Sequence, residues 1–514
     1  MIRTGAKDND AGVPTYWGTS GKSLQKMITI VATTDFLLFG YDQGVMAGII
    51  ADPSFMDAFP EVRGDETWEG FVTAIYAVGC FIGACFMLAC GDQLGRRKSI
   101  FIGGFVMIIG VIIQISSVGP NYGATAQFII GRCITGIGNG INTATVPTYQ
   151  AECCPPHNRG KLICIEGGNV AIGTLIAYWI DYGCTYGPAA FVWRFPIAFQ
   201  CAFAMVVLVL MLRLPESPRW LLTKDRTADA TTVIAALQGK HRDDEEVQKE
   251  LGVFVDAIRA TGHKGGVTPM RELTTNGRTQ HFRRLILGAG SQMMQQLSGC
   301  NAVIYYFPIL FQRSIGTTHN LALLLGGVNM VVYAAFATTS WFVVERLGRR
   351  KLFFIGSIGQ CLSMVLVFGA LIPDTTEAAK GAGVGLFTYI AFFGATWLPL
   401  PWLYPAEINP LKTRAKANAL STTSNWLWNF FIVMITPTAG RTLEEIDIIF
   451  AKGFEENMSY VHAAKQLPKL SHDEVRSWAR DNGFSSDDEA NKPRISEKED
   501  SPTAKTDNNN ALMS

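Results

Sequence analysis

Asp92-Gln93-Leu94-Gly95-Arg96-Arg97-Lys98 sits between two long apolar runs, and Glu345-Arg346-Leu347-Gly348-Arg349-Arg350-Lys351 sits between two more. Each copy carries an acid, a glycine at a tight connection and three consecutive cations. A repeat about 250 residues apart in a chain of 514 makes two related halves. The apolar flanks of both copies place those halves in a membrane.

Composition points the same way. Hydrophobic residues make up 48% and charged residues 17%, with 51 glycines, and the mean hydropathy is +0.19. That is low charge for a soluble chain and the glycine content that membrane helices tolerate. A net charge of +1 offers no basic face for nucleic acid. The eleven cysteines, among them Cys80, Cys85, Cys133, Cys201 and Cys361, fall mostly inside apolar runs and show neither disulfide nor metal-ligand spacing. The adjacent Cys153-Cys154 reads as incidental. No cofactor or metal is expected. The first 24 or so residues are polar without a signal-peptide pattern, so the first span is expected to direct its own insertion.

A helix needs about 20 residues to cross the hydrocarbon core, and lipid offers the backbone no other partner. Runs of that length lie at roughly 27–50, 68–90, 99–118, 124–148, 162–183, 191–213, 284–312, 320–343, 351–372, 382–404 and 418–437. Lysine and arginine collect in alternate short loops: Arg96, Arg97 and Lys98; Arg159 and Lys161; Arg346, Arg349, Arg350 and Lys351; Lys412, Arg414 and Lys416. The other side holds little beyond Arg63, Arg194, Arg313 and Lys380. The first set marks the cytoplasm and puts the N-terminus inside.

This gives an all-α membrane protein of two pseudo-symmetric bundles. A cytoplasmic segment (1–26) precedes a six-helix bundle (27–213). A cytoplasmic linker with short helices (214–283) follows, in which Val247, Leu251, Phe254 and Ile258 recur on one helical face. A five-helix bundle (284–437) and a polar tail (438–514), expected to be largely disordered, complete the chain. The halves do not match at the end. Sixty residues separate Arg159 from Arg219, but only twenty-seven separate Arg414 from Arg441. After Pro437 no apolar run of about 18 residues remains. About eleven spans are therefore expected, with a twelfth missing.

Gly131-Arg132, the paired Asp92–Lys98 and Glu345–Lys351 elements, Pro215-Glu216-Ser217-Pro218-Arg219, Gln295-Gln296-Leu297-Ser298-Gly299-Cys300-Asn301, Pro401-Trp402 and Asn425-Trp426 occur in a fixed order. In that order the chain resembles the sugar-porter family of the major facilitator superfamily over roughly residues 25–447, and fungal hexose/proton symporters above all. The resemblance implies the six-plus-six major facilitator fold, of which a final element survives here as Thr438-Ala439-Gly440-Arg441.

Charges inside spans are costly and therefore informative. Asp42 lies roughly 12 Å below the outer end of the first span at 1.5 Å per residue, and Arg132 lies at similar depth in the fourth. An acid and a cation so placed form a proton switch: ionised, the acid satisfies the arginine; protonated, it releases it. The resemblance assigns proton coupling to the same two positions. A structural buried ion pair is the plainer alternative. Asp35, one heptad earlier, has no cation at its depth in the fourth span and is expected to face water near the inner end.

Sugars need amide and hydroxyl partners and an aromatic face. Gln295, Gln296 and Asn301 cannot share one face of a regular helix, so a break near Gly299 is expected. Trp402 follows Pro399 and Pro401, which kink the tenth span, and Asn425 opens the eleventh. The resemblance implies hexose binding at Gln295, Gln296, Asn301, Trp402 and Asn425, with an outer gate at Tyr305 and Tyr306; for any one of them, interhelical packing is the alternative. The family's fifth-span glutamine is Gly167 here, with Glu166 beside it as a substitute polar contact or the sign of a bulkier substrate. Arg96, Glu152, Arg159, Glu216, Arg219, Glu345, Arg349, Glu407 and Arg414 are expected to tie the halves shut on the inside, unless they serve topology alone.

The resulting expectation is a multi-pass cell-membrane protein that imports a sugar with protons by alternating access, with sugar, protons and lipid as its partners and no enzymatic chemistry. The alternative is a non-transporting sugar receptor, or an inactive truncated isoform, on the same fold.

Overall fold

The computed structural model describes residues 6–436, apart from 10, 11, 51, 64, 65, 120, 121, 155–158, 261–269, 278, 316, 317, 372–375, 411 and 412. The expected tail and the site of the missing twelfth span lie outside the described residues. Among those described, eleven helical units have membrane-spanning length. The first half holds α1 (Gly21–Ile49), α2 (Glu66–Leu94), α3 (Arg96–Ile115), α4 (Tyr122–Cys153), α5 (Arg159–Cys184) and α6 (Ala189–Met211). In the second half, α7 is broken into α7a (His281–Leu297) and α7b (Cys300–Ile315). Then come α8 (His319–Leu347), α9 (Arg349–Leu371), α10 (Thr376–Phe392, continued by Leu400–Ile408) and α11 (Arg414–Ile435). Short helices at Pro218–Thr223, Thr227–Gln238, Glu245–Ala260 and Met270–Leu273 join the halves. Val247, Leu251 and Phe254 of the third pack against Ile234 and Ala235 of the second, which fixes the one-faced helix read in the sequence.

Seven of the membrane-length units are apolar enough, by length and composition, to cross a bilayer unaided: α2, α3, α5, α6, α8, α9 and α10. The four that fall short are α1, α4, α7 and α11. Their interiors are polar because they face one another rather than lipid. Asp35, Asp42 and Gln43 are buried on α1; Arg132, Asn139, Asn142 and Gln150 on α4; Gln292, Gln295, Gln296 and Asn301 on α7; Asn418, Asn425 and Asn429 on α11.

Helix pairs in the first half meet backbone to backbone. A Cβ on Gly40 of α1 would overlap the Val170 carbonyl of α5, and one on Gly173 would overlap the Leu37 carbonyl. Gly79 and Gly140 do the same between α2 and α4, against Cys133 and Cys80. Small residues are what lets membrane helices approach so closely. The halves join along two symmetry-related seams, α2 on α11 and α5 on α8.

Two helices are interrupted. The α7 break falls at Ser298-Gly299, where Gly299 takes φ +85°, a conformation open to glycine without a Cβ penalty. In α10 a π-turn occupies Phe393–Trp397 and a new helix starts after Pro399. Such π-turns gather at functional sites.

Candidate functional site

At the centre, amides of α7a satisfy the backbone that the α10 interruption frees, and an α11 amide braces them. Gln295 Nε2 donates to the Trp397 and Leu398 carbonyls at 2.7 and 3.1 Å. Gln292 Nε2 donates to the Pro401 carbonyl at 2.8 Å. Asn425 Nδ2 donates to the side-chain oxygens of Gln292 and Gln295, at 2.5 and 2.9 Å. Asn301 Nδ2 closes on Gln296 Oε1 across the α7 break. The spacing that no regular helix could align is thus resolved by the break.

Aromatic rings from both halves adjoin this amide set. Trp402 meets Phe36 and Phe39 of α1 edge-on, at 5.5 and 5.8 Å between centroids. Trp426 meets Phe39 at 5.2 Å and Tyr76 at 6.0 Å. Its indole N–H donates to Thr143 of α4 at 3.3 Å. Gln292, Phe36, Phe39 and Trp426 were not singled out in the sequence as polar or aromatic contacts. Gln292 lies three residues before Gln295, a spacing that could have found it.

Asp42 and Arg132 are both fully buried. Among the described residues they form no direct ion pair. Tyr76 of α2 stands between them: its hydroxyl donates to Asp42 Oδ2 at 3.0 Å, and its ring lies 4.9 Å under the Arg132 guanidinium. Asp42 Oδ1 and the three Arg132 nitrogens have no hydrogen-bond partner among the described residues. The sequence did not mark Tyr76, because a tyrosine in an apolar run reads as packing.

Asp35 does not face water. It is buried, and Asn142 Nδ2 of α4 donates to its Oδ1 at 2.7 Å. The amide takes the place of the cation that α4 lacks at this depth. Glu166 is also buried, with no hydrogen bond to the α7 or α11 amides. Its neighbour Gly167 is the residue that faces the second half, where a Cβ would stand 3.0 Å from Pro399.

The ends carry contacts between halves. At the end expected to face outside, Tyr178 of α5 donates to the Ile304 carbonyl of α7b, and Trp179 and Tyr178 pack over Gly327 and Gly326 of α8. Tyr305 is buried and is an electrostatic neighbour of Tyr76 and Tyr178. The Tyr306 side chain lies outside the described residues.

At the end expected to face the cytoplasm, most of the expected ties run within a half. Arg96 pairs with Glu152 at 3.1 Å. Glu216 accepts from the Arg96 and Arg97 N–H groups at 2.9 and 3.2 Å, which seats a carboxylate on the N-terminus of α3. Burial, partly offset by Ser217, Arg96 and Arg97, holds the Glu216 carboxyl above the usual glutamate range. Arg219 lies over the Phe254 ring at 4.7 Å. Arg349 bridges Glu345 at 3.0 Å and Glu407 at 2.6 Å. Arg414 Nε donates to the Asn409 carbonyl at 3.2 Å. The Arg159 side chain lies outside the described residues. The halves meet instead through Lys416 and Asp92, 4.0 Å apart, and through Gly160, which abuts Glu345 and Arg349.

Residues 27–455 match the family described as Sugar (and other) transporter. Sugar transporter STL1 of Saccharomyces cerevisiae is 42% identical, over 94% of this chain and 91% of that protein. Major facilitator superfamily transporter mfsA of Aspergillus fumigatus is 40% identical, over 92% of this chain and 94% of that protein. Among solved structures, the proton:xylose symporter XylE bound to 6-bromo-6-deoxy-D-glucose superposes with a TM-score of 0.71 at 25% identity, over 89% of this chain and 99% of that one. On motif order, architecture and these matches together, the chain belongs to the Sugar (and other) transporter family.

Proposed function

We propose that this protein carries a sugar across the cell membrane together with a proton, by alternating access. The observation that carries this reading is the buried Asp42–Tyr76–Arg132 array beside a central amide and aromatic set to which both halves contribute. The names of the relatives, a sugar transporter and a proton:xylose symporter, support it.

In this reading residues 27–213 and 284–437 are the moving bodies. Gln295, Asn425, Gln296 and Asn301 supply hydrogen bonds to sugar hydroxyls, and Trp402 supplies an apolar wall. The amides already hold one another, so the sugar exchanges existing hydrogen bonds for new ones rather than meeting unpaired groups. Among the described residues the buried Arg132 guanidinium has an aromatic face beneath it, worth about 2 kcal/mol or somewhat more once desolvated, and no carboxylate in direct contact. Ionised Asp42 supplies the missing counter-charge, and protonation withdraws it. Either end can part at the seams: the Tyr178–Ile304 contact outside, with Tyr305 beside it, and the Lys416–Asp92 and Gly160 contacts inside.

Uptake of labelled hexose by a transporter-null cell at two external pH values tests the reading. Faster accumulation at the lower pH is expected, and Asp42→Asn should abolish accumulation while sparing exchange. No uptake at either pH, with the protein at the cell surface, ends the importer reading. Accumulation by Asp42→Asn equal to the wild type removes the coupling assignment.

A further inference from the structure

Glu166 is fully buried, and neither of its carboxyl oxygens has a hydrogen-bond partner among the described residues. Its electrostatic neighbour is the carboxyl of Asp35, which uses one oxygen on Asn142 and leaves the other unpartnered. The α1–α5 contact explains the meeting. The two helices touch backbone to backbone where Gly40 meets Val170 and Gly173 meets Leu37. Glu166 lies one turn before Val170, and Asp35, midway along α1, just over one turn before Gly40, both on the N-terminal side of that contact.

The surrounding charges are few. Asp42 lies seven residues along α1, about 10 Å at 1.5 Å per residue, and interacts with Asp35. On α2 stand Tyr76 and Cys80, and on α4 Arg132 beside Asp42 and Asn142 beside Asp35. Asp181 lies toward the outer end of α5, against Gly48. Arg349, Glu345 and Glu407 surround the inner end of α5, near Cys164 and Gly160. Among the described residues no cation interacts with the Asp35–Glu166 couple. Two adjacent buried carboxyls without a counter-ion share a proton rather than both ionise.

We propose that Asp35 and Glu166 form a second proton station, which receives the proton from Asp42 and releases it to the cytoplasmic side. The inference rests on the Asp42 coupling reading above. Asp42 gives its proton, through intervening water, to the ionised member of the couple, and Asp42 becomes the anion that faces Arg132. Glu166 then loses one proton to water near Gly160, about 9 Å further along α5 at 1.5 Å per residue. One proton enters and one leaves, and the couple ends as it began. Asn142 holds Asp35 in place by its amide and carries no proton itself.

The test uses purified full-length protein in liposomes carrying an internal pH dye. The sugar is whichever of labelled glucose, galactose and xylose the wild type exchanges. Two rates are read: sugar-driven proton entry, and counterflow exchange of sugar with no pH gradient. Glu166→Gln and Asp35→Asn are each expected to cut proton entry per sugar by at least fivefold and to keep counterflow within twofold. Unchanged proton entry in both variants, with Asp42→Asn losing it, overturns the second station and leaves the Asp42 reading standing. Proton entry kept by Asp42→Asn overturns both. Loss of counterflow together with proton entry assigns the couple to the sugar pocket or to folding, and also overturns the proposal.

Discussion

Removing one oxygen atom from Tyr76 separates the two jobs this residue does. Tyr76→Phe keeps the ring 4.9 Å beneath Arg132 and deletes the donor 3.0 Å from Asp42. A hydrogen bond to a charged acceptor contributes roughly 1.5–3 kcal/mol. It favours ionised Asp42 over the neutral acid, because a carboxylate is the stronger acceptor. At 1.36 kcal/mol per pH unit, its loss moves the midpoint of proton-driven uptake upward by at most about 1–2 units. Proton release should slow as well, so the maximal accumulation rate falls while counterflow without a pH gradient persists. The assay is initial uptake of labelled sugar across an external pH series, with counterflow measured in the same vesicles. A midpoint that stays where the wild type has it, with counterflow intact, would refute the claim that Tyr76 tunes the coupling acid. Loss of counterflow as well would place Tyr76 in the sugar pocket.

Gln295→Ala deprives the Trp397 and Leu398 carbonyls of their donor and Asn425 of an acceptor, at about 1–3 kcal/mol for each group left unpaired. The KM for sugar should rise by roughly tenfold or more, at about 1.4 kcal/mol per decade; a wild-type KM contradicts the pocket. Gly40→Ala forces a methyl into the Val170 carbonyl and should cost about 1–3 kcal/mol, seen as a lower melting temperature in detergent. Gly369→Ala on α9 meets nothing within 4 Å and should melt as the wild type does; equal melting of both variants would dismiss the close-packed seam. Burial raises the Glu216 carboxyl, so the folded protein binds the proton more readily than the unfolded chain. Its contribution to stability is therefore whole below the ordinary glutamate value, about 4.3, and is lost as pH rises through the folded value. The melting temperature of the wild type minus that of Glu216→Gln should accordingly shrink from acid toward neutral pH; a constant or widening gap disproves this.

The sequence was most readable where one constraint left one solution. Paired acid–glycine–cation loops between apolar runs dictated two helical bundles, and the spacing of Gln295, Gln296 and Asn301 required the break that falls at Gly299. It was least readable where the answer depended on which surfaces meet. The inner cations and acids look alike in composition, yet Arg96 and Arg349 brace their own halves, and Lys416 with Asp92 spans the gap. Asp35 and Glu166 are 131 positions apart, and only the glycine contact between α1 and α5 brings them together. Phe36 and Phe39 look like lipid-facing residues of an apolar run until α10 bends Trp402 onto them.

The glycine contacts have a mechanical corollary. Where α1 and α5, and α2 and α4, lie with carbonyl against α-carbon, there is no layer of side chains to shear, and none of these four helices is interrupted along its length. The second half is jointed instead, at Ser298-Gly299 and from Phe393 to Pro399. Flexing during a transport cycle should therefore be lopsided: the first half tilts like a plate, and the second supplies the elbows. Spin labels paired within α1–α6 would keep one sharp distance through the cycle, while a pair straddling the α10 joint would show two.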